Sequence, residues 1–306
     1  MYKILLLSFL LKSLFFAEVI TPIEEVKHYD KEKVSLGKKL FFDVTFSKDG
    51  TVSCASCHSD FGSDSRPVSI GVGGKKGLIQ SLSVFNAVNN YKQFWNARAS
   101  SLEEQIDGPI HNDFEMGISK ESIEEKLNSS KIYQQIFSQV YNESPNYQLF
   151  KDAIVAFEKT LLTPNSRFDR YLKGEQVLTS LEIKGFESFK QHGCIACHNG
   201  VNVGGNSMQM MGSVIEYNYV PGQQDVYAIT KDEADKNVFR VPSLRNVNKT
   251  APYFHDASAV TLKDAIVKMA HHNLGTYLES NEVEAIEAFL KTLDGTVPTT
   301  WSQDVK

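Results

Sequence analysis

The chain carries four cysteines, and all four fall into two C-x-x-C pairs followed at once by histidine. The segments are Cys54-Ala55-Ser56-Cys57-His58 and Cys194-Ile195-Ala196-Cys197-His198. Two thiols at this spacing reach both vinyl groups of one haem as thioethers, and the adjacent imidazole reaches the iron. A structural zinc site would need two more ligands close by, whereas these pairs lie far apart in sequence. A redox pair of the thioredoxin kind would need a βαβ context, and strand-like alternation is scarce here. With no cysteine left over, the arithmetic predicts two covalently attached haems c, with His58 and His198 as proximal iron ligands.

The 306 residues suit one large domain or two smaller ones. The periodicity is helical. Phe150, Ile154, Phe157 and Leu161 mark one helix face, which Pro164 stops. Thr179 and Glu182 form a capping box ahead of Ile183, Phe186 and Phe189. Val283, Ile286, Phe289 and Leu293 line a further helix, with Gly295 just past its C-terminus. The stretch from Gly200 to Asn237 reads as a long loop with a short hairpin. No short repeat and no low-complexity tract is evident. The expectation is a mainly α fold of two cytochrome c-like haem domains with long loops. They divide at the turn residues Pro164, Asn165 and Ser166 into residues 18–164 and 165–306, with the last residues packing back on the N-terminal domain.

Lys3, an apolar run from Ile4 to Phe16 and Ala17 form the pattern of a secretory signal over residues 1–17, which implies a periplasmic protein. The run is too short for an ordinary membrane span. Its removal takes away two lysines and leaves an already acidic chain (net charge −5) more acidic still. No basic stripe exists, which argues against nucleic acid, and a moderately acidic surface suits a basic protein partner.

What sits on the second face of each iron separates an electron carrier from an enzyme. Two protein ligands make a haem that passes electrons, and an open face makes one that binds small ligands. Composition does not choose among His28, His111, His192, His255, His271 and His272, or among the methionines.

At this point the chain resembles the bacterial di-haem cytochrome c peroxidases, including their MauG-like relatives, over about residues 20–295. Phe94-Trp95-Asn96-Ala97-Arg98-Ala99 resembles the family's F-W-D-G-R-A, and Leu102 to Pro109 its L-x-x-Q-x-x-G-P. Glu115-Met116-Gly117, Thr160 to Pro164, Phe168 to Leu172, Phe239 to Val247 and Ala251 to His255 match further family segments. The resemblance implies a peroxidatic haem on Cys54, Cys57 and His58, and an electron-entry haem on Cys194, Cys197 and His198. It implies Met269 as the distal ligand of the second, with His271 and His272 as rivals nearby. Glu115 would be the acid–base group and Gln105 its hydrogen-bonding companion, because peroxide cleavage needs one group to move a proton and a neutral donor to hold the bound oxygen. Trp95 would bridge the haems.

The resemblance also implies H₂O₂ as substrate, a reduced monohaem cytochrome c or similar donor, and a homodimer. Two departures stand out. Relatives that rest inactive carry a histidine in the loop that here reads Ser69 to Gly77, where Val72 is the nearest aligned residue. The peroxidatic haem is therefore expected to be open at rest, with His111 the rival that could close it. The family's Ca²⁺ would take the backbone carbonyls of Thr250 and Pro252, but its asparagine ligand aligns with Gln80. A MauG-like protein oxidase and a non-enzymatic di-haem electron carrier are the alternatives. Met269 speaks against the first, because MauG proteins carry tyrosine there.

Overall fold

A computed structural model describes residues 19–26 and 28–301. The signal read over residues 1–17 lies outside the described residues. The fold is helix-rich, and among the described residues the sheet is one antiparallel pair, Met208–Met210 with Val238–Arg240. The expected hairpin in the long loop therefore finds its second strand just beyond that loop. No helix among the described residues is long and apolar enough to cross a membrane.

Two helix pairs organise the chain. Helix Lys31–Phe42 packs on Tyr147–Glu158, and Ser180–Gln191 packs on Ser280–Lys291. Each pair has a glycine at its crossing, where helix propensity alone would disfavour one by about 1 kcal/mol. A Cβ on Gly37 would lie 1.8 Å from the Ala153 carbonyl oxygen, and one on Gly185 would lie 1.8 Å from that of Ala285. The backbones approach so closely that no other residue fits. Around the first pair, one core runs from Val34 to Leu161 and is built on Phe41, Phe46, Phe137, Phe150 and Phe157. Around the second, another runs from Phe168 to Leu293.

Both ends of the described chain cross to the opposite core. Ile20 packs in the second. Trp301 packs in the first, stacked on Phe157 at 6.3 Å and edge-on to Phe85 at 5.0 Å. A buried ion pair fastens the N-terminal crossing. Arg245 meets Asp169 at 2.6 Å with both side chains inaccessible, and its Nη2 donates to the Thr21 carbonyl.

The two halves repeat a backbone motif. Gln93 to Ala99 and Tyr253 to Ala259 each close with a bridge between their end residues. Each holds left-handed residues at matching places, Phe94 and Ala97 in one and Phe254 and Ala257 in the other. Upstream at the same spacing, Asn86 and Asn246 are both left-handed. Their side-chain amides converge on one oxygen, Thr163 Oγ1, at 2.8 and 2.9 Å.

These asparagines explain two helix ends that differ from expectation. The helix expected to reach Leu161 stops at Glu158. Thr160 Oγ1 turns back to the Phe157 carbonyl, and the Asn86 N–H takes the carbonyl of Leu161. The last long helix likewise stops at Lys291, and its cap, Thr292, is right-handed. Gly295 is not a left-handed cap. It is small because a Cβ there would sit 1.9 Å from the Thr163 carbonyl oxygen, while its N–H bonds Asn246 Oδ1.

Candidate haem sites and the wall between them

Each C-x-x-C-H segment opens on its own cavity. The first cavity is lined by Cys54, Cys57, His58, Gln105, Pro109 and Glu115 among others. The second is lined by Cys194, Cys197, His198 and Met269. Short helical turns, Cys54–Cys57 and Cys194–Ala196, present the thiols. All four cysteines are free and part-buried. Burial pushes the Cys54 thiol far up and that of Cys194 to about 11, so neither is a thiolate at neutral pH. Among the described residues no cluster of three or more His, Cys, Asp or Glu side chains is placed to hold a metal ion.

The imidazoles suit axial ligation. Nδ1 of His58 lies 2.9 Å from the Gly62 carbonyl, which leaves Nε2 as the free lone pair. Burial lowers its pKa and, more strongly, that of His198, to about 4, so both stay neutral. The Val203 backbone supports His198 electrostatically, although Nδ1 makes no hydrogen bond of ordinary geometry. Met269 stands on helix Leu262–Leu274 and lines the second cavity; His271 and His272 do not. His272 instead turns Nδ1 to the carbonyls of Ile215 and Glu216.

Glu115 enters the first cavity from the turn after the short helix Asp107–His111. Desolvation raises its pKa, against the opposing pull of a 2.7 Å hydrogen bond from Asn112 Nδ2 and the charge of Arg98. Arg98, another cavity-lining residue, stacks over the Phe94 ring at 3.4 Å. The Ser69 to Gly77 loop is pinned to the same turn, since the Val72 N–H donates to the Glu115 carbonyl at 2.9 Å. Gly71 permits that approach: a Cβ there would lie 2.1 Å from the Phe114 oxygen. His111 lies outside the cavity wall, with Nδ1 on the Ile118 carbonyl and Nε2 by the Tyr147 hydroxyl.

A thin wall serves both cavities. Trp95 faces each of them, buried edge-on to the stacked pair Phe239 and His255, and its Nε1 donates to the Gln80 carbonyl at 2.8 Å. Gln80, Thr250 and Pro252 share the second cavity's wall, and the Gln80 amide nitrogen is directed at Ser63 Oγ and the Asp64 carbonyl.

Besides His198 Nδ1, three buried polar atoms of residues on these walls have no hydrogen-bond partner among the described residues: Glu158 Oε2, Arg240 Nη1 and His255 Nε2. Buried polar atoms are rarely left unpaired, so the walls are made for something polar. Apolar cavities with thiol pairs, a neutral imidazole and isolated polar groups fit haem c. Sequence reasoning missed Asn112, Glu158 and the separate roles of Arg98 and Arg240. The only signal for Asn112 was its place three residues before Glu115.

Comparison with known proteins agrees. Residues 31–177 match the family model for di-haem cytochrome c peroxidase. The cytochrome c551 peroxidase of Nitrosomonas europaea is 42% identical over 288 residues, covering 92% of this chain and 85% of that protein. The cytochrome c551 peroxidase of Pseudomonas aeruginosa is 42% identical over 277 residues, covering 88% and 80%. A solved MauG-like protein associated with microbial copper homeostasis superposes with a TM-score of 0.83 at 27% identity, covering 95% of this chain and 98% of that one. The chain belongs to the di-haem cytochrome c peroxidase family.

Proposed function

We propose that this chain reduces H₂O₂ to two waters, taking up two protons and two electrons, with a reduced monohaem c-type cytochrome or similar protein as donor. The observation that carries the reading is Glu115, a desolvated carboxyl that shares one cavity wall with Gln105 and the Cys54/Cys57/His58 segment. Relatives with 42% identity over most of the chain are peroxidases by name.

Haem iron supplies the site where peroxide binds and is cleaved, and carries the electrons. The residues do the rest. His58 would hold the first haem through Nε2, with Glu115 and Gln105 available to the substrate in the same cavity. Glu115 moves a proton from the inner to the outer peroxide oxygen, and its raised pKa suits a group that must both take and return one. Gln105, on the same cavity wall, would donate a hydrogen bond to the peroxide and orient it. His198 and Met269, which line the second cavity, would hold the second haem, and methionine ligation would raise its potential, as an electron-entry site requires. Trp95 lies on the path between the haems. Residues 18–164 would form the peroxidatic domain and 165–306 the electron-entry domain, in a periplasmic homodimer exported by its first 17 residues. Gln80, Thr250 and Pro252 would offer oxygens to Ca²⁺, a hard cation.

Protein oxidation of the MauG-like kind is the second reading, favoured by the histidine-free Ser69 to Gly77 loop and opposed by Met269. Steady-state oxidation of reduced cytochrome c by H₂O₂ tests the choice. A rate no better than that of free haem would remove the peroxidase reading.

A further inference from the structure

Arg240 ends the strand Val238–Arg240 and is only 2% exposed. It faces both cavities. Its backbone N–H donates to the Trp95 carbonyl at 2.6 Å, and its Nε donates to the Phe94 carbonyl at 3.1 Å. Nη1 has no partner. Burial lowers its pKa to about 10, so the guanidinium is still charged at neutral pH, and the one charge neighbour that acts on it is the Tyr91 phenol. Arg245 makes the contrast. It is equally buried, five residues on, and is matched by Asp169 at 2.6 Å.

A buried cation without an anion is strongly unfavourable. A guanidinium fork fits a carboxylate two-pronged. Haem carries two carboxylates at its edge, and Arg240 stands where the two haem cavities meet. We propose that Arg240 is the charge partner of a haem propionate at the wall between the two cavities, and that the same side chain fixes the Trp95 turn. The proposal rests on the di-haem reading above. It makes one residue answer for both a haem's potential and the bridge's position. A positive charge beside the haem edge favours the reduced iron, which carries one positive charge less.

The mass of the purified holoprotein comes first. A chain without two haems overturns the di-haem reading and this proposal together. With two haems present, a crystal structure of the holoprotein is expected to show an Arg240 Nη within about 3 Å of a propionate oxygen. All Nη atoms beyond about 4 Å from every propionate oxygen would overturn this proposal and leave the di-haem reading standing. Redox titration gives the second readout. In Arg240→Gln at least one midpoint should fall to lower potential, whereas Arg240→Lys, which keeps the charge, should stay nearer the wild type. Midpoints unmoved in a di-haem Arg240→Gln protein would overturn it too.

Discussion

The side-chain amide of Asn112 donates a 2.7 Å hydrogen bond to Oε1 of Glu115, three residues away on the same turn. The bond favours the charged carboxylate, while desolvation favours the neutral acid and wins. The net effect is a carboxyl that holds its proton more firmly than a solvated glutamate.

Two variants separate these influences. Glu115→Gln removes the proton carrier and should lower peroxide turnover by about 10²- to 10⁴-fold, with both haem spectra kept. Asn112→Ala withdraws the bond that favours the anion, so the pKa of Glu115 rises further. The acid limb of kcat/KM should then move to higher pH by about one unit, the equivalent of a hydrogen bond to a charged group. A limb that stays put, or moves down, would show that Glu115 is not the group titrating.

The peroxidatic haem should be open before any reduction. The Ser69 to Gly77 loop carries no histidine and is bound to the Glu115 turn through Val72, and His111 is engaged by Ile118 and Tyr147. Electronic absorption of the fully oxidised protein should show one high-spin ferric haem, and cyanide should bind at one haem only. Two low-spin haems would reverse the expectation.

Trp95→Phe tests the bridge. Phenylalanine retains most of the buried ring but loses the Nε1 bond to Gln80 and is far harder to oxidise. Turnover should fall at least about tenfold, a barrier change of roughly 1.4 kcal/mol or more. Stopped-flow should place the loss in electron arrival at the first haem, with reduction of the second haem by donor unchanged. Equal rates in the variant would make Trp95 a packing residue alone.

The legible parts of the molecule were those where chemistry demands fixed spacing. The C-x-x-C-H segments announce two thiols and an imidazole, and both lie on cavity walls. Periodicity located the helices but missed their ends. Those ends at Glu158 and Lys291 are decided by Asn86 and Asn246, which arrive from far along the chain to take carbonyls. The repeat around Trp95 and His255 escaped notice although Phe94 and Phe254, and Ala97 and Ala257, are identical residues at matching places, because three shared residues in seven make a weak signal until the left-handed backbone is seen at both. Arg240 was equally illegible. A buried arginine with a partner, such as Arg245, reads the same in sequence as one without.

Glu158 gives a prediction about stability. It is 6% exposed, its Oε2 is unpartnered, and desolvation together with the neighbouring Glu103 raises its pKa from 4.5 to about 8. In the unfolded chain the group ionises near 4.5, whereas in the fold it holds its proton until about 8. The folded state therefore binds more protons across that window, and stability declines as pH rises through it. The ceiling is a few kcal/mol, at roughly 1.4 kcal/mol for each factor of ten in proton affinity. Glu158→Gln keeps the shape and cannot ionise. Its melting temperature should exceed the wild type's at about pH 8 and match it at about pH 4, in the holoprotein scanned at one rate. Parallel losses in both proteins across the window would mean that Glu158 is already matched by a charged partner when haem is bound.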